Sequence, residues 1–336
     1  MSKSKYTSIG GQALIEGIMM KSPEKTAMAV RKKDGDIDIS YPVGKSIREK
    51  YKILKTPIIR GVVGFVESMI QGYKAMMLSA DISGFTDLEE EQEKKDTEKK
   101  DNSALINIVM VIGTVLGVAL SVVLFMYIPR LCVSGLQSLF NTDFSKLVRS
   151  GIEQVLKLSV FVLYVWLVSF MKDIKRVFMY HGAEHKTIFC YEKGLELTVE
   201  NVREQKRFHP RCGTSFMILM ILISVIVSTV VQMIFPNVYD VAWLWTVAKI
   251  LMLPVICGLG FEVLKLCGKY DNVITRIISA PGMWLQRITT KEPEDDMIEI
   301  AIAALKACEP ENPDVDRSVD KITEITESED SENDNI

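Results

Sequence analysis

Histidine is scarce in this chain of 336 residues: there are three, His181, His185 and His209, all in one short stretch. A chain that uses the residue nowhere else has placed these for chemistry. Cysteine is sparse too. The six, Cys132, Cys190, Cys212, Cys257, Cys267 and Cys308, are scattered, and most fall in segments that read as facing a reducing cytoplasm, which excludes a disulfide framework. There is no phosphate loop, no dinucleotide fingerprint and no serine or cysteine nucleophile elbow, so those enzyme classes fall away. Charge of one sign is also missing. Forty lysines and arginines stand against 43 aspartates and glutamates, a formal net charge of -3, and nothing calls for a nucleic-acid partner. No amino-terminal signal peptide is expected, because the first long apolar run begins only after about a hundred mostly polar residues.

What the chain does have is long apolar runs. Ala104 to Ile128 carries no charge. At about 1.5 Å per helical residue, such a run crosses a hydrocarbon core of roughly 30 Å. Ile152 to Met171 spans if Lys157 reaches towards the headgroups, Cys212 to Tyr239 is again uncharged, and Val241 to Phe261 is apolar except for Lys249, with Pro254 expected to bend it. The fold class is therefore an α-helical integral membrane protein with about four transmembrane helices, and its first partner is the lipid bilayer. Lys172, Lys175, Arg176, Lys186, Lys193, Arg203, Lys206, Arg207 and Arg211 lie between the second and third spans, whereas the Pro236 to Asp240 turn has no basic residue. Lysine and arginine gather on the cytoplasmic side, so the expected address is the cell membrane with the histidine segment and both termini in the cytoplasm. Arg130, Lys146 and Arg149, in the first external loop, run against that pattern.

Outside the spans the chain divides by composition. Residues 1–56 read as a small cytoplasmic β-element, with two alternating strands joined by an Asp34-Gly35 turn. Residues 57–86 form an amphipathic interfacial helix centred on Pro57 to Ser79, and 87–103 a charged linker. The four-span region occupies 104–271 and carries a cytoplasmic loop, 172–211, that holds the histidines. Residues 272–308 read as an interfacial segment with a Pro-Gly break followed by a short helix, and 309–336 as a disordered acidic tail.

His181 and His185 are four apart, so on a helix they share one face, with Glu184 beside them. The string H-x-x-E-H is the inverted zinc-protease pattern, in which two imidazoles bind zinc and the glutamate is the base. His209 and Cys212, spaced H-x-x-C, offer third and fourth ligands. Imidazole and thiolate suit zinc better than magnesium or calcium, and iron fits the same donors. If all four bind, the site is closed and structural; if one lets go, water enters and catalysis follows. A membrane-surface location without metal, with the histidines among headgroups, is the bland alternative. Cys190 is a weaker ligand candidate. Glu262 reads as a partner orienting an imidazole or a salt bridge to Lys265 or Lys269, and Glu16, set between glycines in G-G-Q-A-L-I-E-G, as a cover for the site or a solvated turn residue.

Five motifs, G-G-Q-A-L-I-E-G-I-M-M from Gly10, R-G-V-V-G-F-V-E-S from Arg60, Y-H-G-A-E-H-K-T-I from Tyr180, F-H-P-R-C-G-T-S-F from Phe208 and P-G-M-W-L-Q-R-I-T-T from Pro281, carry a resemblance. In this order they resemble the YqhQ-like family of bacterial multi-pass membrane proteins, a domain of unknown function described as a predicted metal-dependent enzyme. The resemblance implies a membrane protein of Gram-positive-type bacteria and marks His181, Glu184, His185, His209 and Cys212 as motif positions. Two functions stand side by side. One is a zinc-dependent hydrolase, with Glu184 as general base, acting on a peptide or lipid at the membrane surface. The other is a non-enzymatic scaffold or assembly factor that binds a membrane-protein partner and uses metal only as a brace.

Overall fold

A computed structural model describes residues 7, 9–22, 24–42, 47, 51–56, 58–85, 103–210, 212–269 and 272–310. The charged run Asp87 to Asp101, Arg211 and the tail beyond Pro310 lie outside the described residues.

Four strands, β1 (Gly10–Leu14), β2 (Gly17–Lys21), β3 (Thr26–Arg31) and β4 (Ile37–Ser40), pair in chain order as an antiparallel meander. The Asp34-Gly35 turn joins β3 to β4 as expected, with Gly35 at φ 92°. The Gly-rich entry supplies two further strands that the sequence reading did not separate. There, Leu14 pairs with Gly17 and the chain reverses through Ile15 and Glu16, the latter at φ 50°. Glycines at both ends of this hairpin dilute the alternation that marks a strand.

The helices are α1 (Ile59–Ser83), α2 (Ser103–Val122), α3 (Ile128–Phe140), α4 (Lys146–Val168), α5 (Lys172–Glu192), α6 (Val199–Arg203), α7 (Gly213–Ile234), α8 (Pro236–Asp240), α9 (Ala242–Lys269), α10 (Val273–Thr289) and α11 (Asp295–Cys308). One sheet face packs on α1, where Ala75, Met76 and Ile82 meet Leu14, Met19, Met28 and Val30. The opposite face, through Ile18, Met20, Ala27 and Ala29, packs against α5 and α11. Covering both faces explains why β2 and β3 read as nearly continuous apolar runs. Read from the sequence only as a short helix, α11 is the centre of this core. Met297, Ile298, Ile300, Ala301, Ala304, Leu305 and Cys308 are all fully buried. Leu305→Ala is expected to cost about 2–5 kcal/mol. An unchanged chemical-denaturation midpoint for that variant would remove α11 from the core.

Among the described residues, four helical stretches are long and apolar enough to cross a membrane: Val115–Phe140, Val148–Val168, Gly213–Ile234 and Trp243–Leu264. The first belongs to the helical stretch that begins at Ser103 and so takes in the apolar run Ala104 to Ile128. Helix α2 passes through a π turn, Val123–Tyr127, into α3, and Pro129 falls in the first turn of α3, where its missing N–H costs little. Arg130 is thus helical, and the connection to α4 shrinks to residues 141–145. The expected histidine loop 172–211 is mostly helix, α5 and α6. The Pro-Gly break expected near Pro281 is absent as well. An Asn272–Thr275 capping box starts α10, the helix runs on through Pro281, and Gly282 seats against Ser215 of α7, where a side chain would collide.

Helix α1 ties the sheet to the bundle. Arg60 reaches Glu262 of α9 in a two-pronged pair, Nε to Oε1 at 2.8 Å and Nη2 to Oε2 at 2.5 Å. Arg60 is thus a partner of Glu262, and the side chains of Lys265 and Lys269 lie outside the described residues. The planar guanidinium suits this bidentate geometry, which a lysine cannot reproduce.

Candidate metal centre

On α5 the four-residue spacing puts His181 and His185 on one face, their rings 4.5 Å apart. The chain then leaves α5, passes α6 and returns to the start of α7, where Cys212 is the N-cap. That return brings Nε2 of His181 within 3.1 Å of the Cys212 sulfur. Nitrogen and sulfur atoms of His181, His185 and Cys212 all lie within 4.8 Å of one another. The N···S edge of a tetrahedral zinc site is about 3.5 Å, given bond lengths of roughly 2.0 and 2.3 Å, so the spacing is of the right order.

Each imidazole is oriented by a backbone carbonyl. Nδ1 of His181 lies 2.9 Å from the Thr289 carbonyl, and Nδ1 of His185 lies 2.5 Å from the Arg207 carbonyl. A carbonyl can only accept, so both Nδ1 atoms carry the proton and both Nε2 lone pairs turn inwards, as metal-binding imidazoles require. Nε2 of His185 is buried, makes no hydrogen bond of ordinary geometry, and has the Cys212 sulfur as its polar neighbour. A buried ring nitrogen left in that state costs free energy unless something coordinates it.

The electrostatics suit the same use. Burial pulls His185 below its ordinary pKa and keeps the ring neutral. For Cys212, burial pushes the thiol up, but the neighbouring His185 and the donors of Thr214 outweigh it, and the net direction is towards thiolate. The Thr214 hydroxyl and amide sit 3.3 and 3.5 Å from the sulfur at the start of a helix, a setting that favours a thiolate.

Glu184 lies beside the cluster, 5% exposed, between α5 and β1. Its pKa is raised to about 7, first by burial, with the Cys212 charge acting the same way and His181 and the Gly11 amide opposing. A Cβ at Gly11 would stand 2.8 Å from the Glu184 carboxyl carbon, so only glycine lets β1 close over this carboxylate. Gly182 serves a similar end, since a side chain there would strike the Lys291 carbonyl on the segment that follows α10.

The other sequence candidates fall elsewhere. His209 lies alongside rather than within the group. Its ring is 5.7 Å from that of His185 and 4.7 Å from that of Phe189, and its Nε2 is 3.6 Å from Glu192. Cys190 is an ordinary buried thiol, pushed up by burial, donating to the Glu196 carbonyl at 3.5 Å. Glu16 does not cover the cluster. Its carboxylate pairs with Arg176 and accepts from the Tyr180 hydroxyl at 3.1 Å, which pins the β1–β2 turn to α5.

Gln286 escaped the sequence reading. Fully buried, it accepts from the His209 amide at 2.8 Å and donates to the His209 carbonyl at 2.7 Å, fixing the segment that delivers Cys212. Its signal was present in the motif from Pro281 to Thr290, which also supplies the Thr289 carbonyl.

A helical bundle capped by a sheet, with two histidines and a cysteine converging where they meet, defines the class of protein. Residues 56–311 match the family described as "Protein of unknown function (DUF1385)", and the chain belongs to that family. It is 35% identical over 305 residues to a protein of Bacillus subtilis (strain 168) described as "Uncharacterized protein YqhQ", with 90% of this chain and 92% of that protein covered. No solved structure matches the chain.

Proposed function

We propose that the chain is a multi-pass protein of the cell membrane with a zinc site on its cytoplasmic side, and that this site serves a hydrolase acting on a peptide or lipid at the membrane surface. The observation that carries this reading is the convergence of two oriented Nε2 lone pairs on a buried cysteine that favours thiolate. His181, His185 and Cys212 would hold the ion. Three protein donors are the number found in catalytic zinc sites, whereas structural sites close with four. Bound there, zinc would supply Lewis acidity to a substrate carbonyl or phosphoryl oxygen.

The chain's own contribution is Glu184. A carboxylate poised near pH 7 in a dry pocket can hold a proton and hand it on, which is what a general base and acid must do. The Gly11 amide holds one carboxylate oxygen and so fixes the direction of the other. The cytoplasmic placement rests on the basic residues of α5 and α6. The scaffold reading, with a closed structural site, draws on one observation, the nearness of the His209 ring to His185.

Elemental analysis of protein purified from zinc-replete cells tests the proposal. About one zinc per chain is expected for a single such site. Zinc-free protein, or iron in its place, overturns it.

A further inference from the structure

A second polar site lies inside the bundle, well away from the histidines. Lys157 of α4 and Lys249 of α9 line a cavity of about 240 Å³ together with Gln154, Ser224 and Ser228. Ser224 and Ser228 stand 12 and 16 residues beyond Cys212 in the sequence, which places them about 18–24 Å along α7 from the metal cluster. One wall is the π turn, through Phe125 and Met126. Such turns recur at functional sites, because they break the regular ladder and re-aim side chains.

The charge around this cavity is one-sided. The Lys249 Nζ sits 5.2 Å over the Trp245 ring, Lys157 lines the same cavity, and Arg130 adds positive charge from α3. Glu153 brings negative charge, but it is shared with Arg149 at 3.5 Å. Four cations thus gather around one carboxylate in a span region where charge is expensive and usually functional. Two lysines lining one cavity disfavour each other's charge, and an anion between them relieves that repulsion. The serine hydroxyls and the Gln154 amide add hydrogen-bond donors suited to anion oxygens.

The mouth of the cavity shows what carries the anion. Ile250 and Leu253, on its rim, are 58% and 50% exposed on the outer, apolar side of α9, where acyl chains would run. The volume is below the roughly 300–1,000 Å³ of sites that enclose a whole drug-sized ligand, which fits a headgroup with its tails outside. We infer that the Lys157–Lys249 cavity is a binding site for a phosphate group, presented by a membrane phospholipid entering between α4 and α9. It is independent of the zinc reading.

Native mass spectrometry of the full chain in detergent tests this, with phosphatidylglycerol, diacylglycerol and inorganic phosphate as probes. Phosphatidylglycerol is expected to bind at least about tenfold more tightly than diacylglycerol, and Lys157→Gln/Lys249→Gln to abolish the preference. Lys249→Arg, which keeps the charge and guards against a folding defect, is expected to retain it. Competition by inorganic phosphate at millimolar concentration would support the phosphate site but assign it to a soluble anion. Equal binding of both lipids by the wild type, or a preference that survives the double substitution, overturns the inference.

Discussion

Cys212→Ala, His181→Ala and His185→Ala are each expected to strip the metal from the purified protein, whereas His209→Ala keeps it. A four-ligand structural zinc site binds with about 10–16 kcal/mol, so each ligand contributes roughly 2.5–4 kcal/mol, or two to three orders of magnitude in affinity. His209 is held by Gln286 through its backbone and directs Nε2 towards Glu192, so its loss removes a neighbour rather than a donor. Loss of such a neighbour costs about 10–100-fold at most, which leaves a site with nanomolar or tighter affinity filled. Zinc per chain after dialysis against a weak chelator is the measurement. Loss of metal in His209→Ala to the same extent as in Cys212→Ala would make the site four-coordinate and closed, and would favour the brace over the enzyme.

The pair His181 and His185 was legible because helix periodicity alone puts positions four apart on one face. Cys212 was legible as a ligand candidate from its spacing to His209, and the chain turns at the N-cap of α7 so that the sulfur meets His181 and His185. The four apolar runs were visible from length and charge, since lipid-facing helices need no alternation. What stayed hidden depended on contacts distant in sequence. That Gly11 packs against Glu184, that Arg60 pairs with Glu262 and that α11 fills the space under the sheet are facts of tertiary packing, and no local pattern carries them. The glycines gave the nearest thing to a signal. Gly11, Gly182 and Gly282 each sit where another element's atoms leave no room for a Cβ, and each lies inside one of the five motifs.

The His181, His185 and Cys212 cluster lies at the start of α7, and the lysine cavity lies further along the same helix, so α7 connects them. α10 packs its length on α7 and supplies both Gln286 and the Thr289 carbonyl, which makes the α7–α10 contact the mechanical base of the cluster. A lipid held by Lys157 and Lys249 would brace the far end of that base.

Glu184→Gln is expected to retain stoichiometric zinc while lowering turnover by about 10²–10⁴, the usual contribution of a positioned general base. The substitution is nearly isosteric. Its amide oxygen can still accept from the Gly11 amide, and it removes a carboxylate that burial already disfavours, so the fold has no cause to weaken. Because the carboxylate lies against His181 and Cys212 without belonging to the donor group, metal affinity should stay within the range of neighbouring-residue effects. The readout does not need a known substrate. Membranes of cells in which Glu184→Gln replaces the wild type are compared by untargeted lipid and peptide mass spectrometry, with Cys212→Ala cells alongside. A hydrolase predicts that the same uncleaved species accumulates in both strains. If Cys212→Ala cells are altered and Glu184→Gln cells match the wild type, the metal is a brace, because a structural site needs its ligands and has no use for a base.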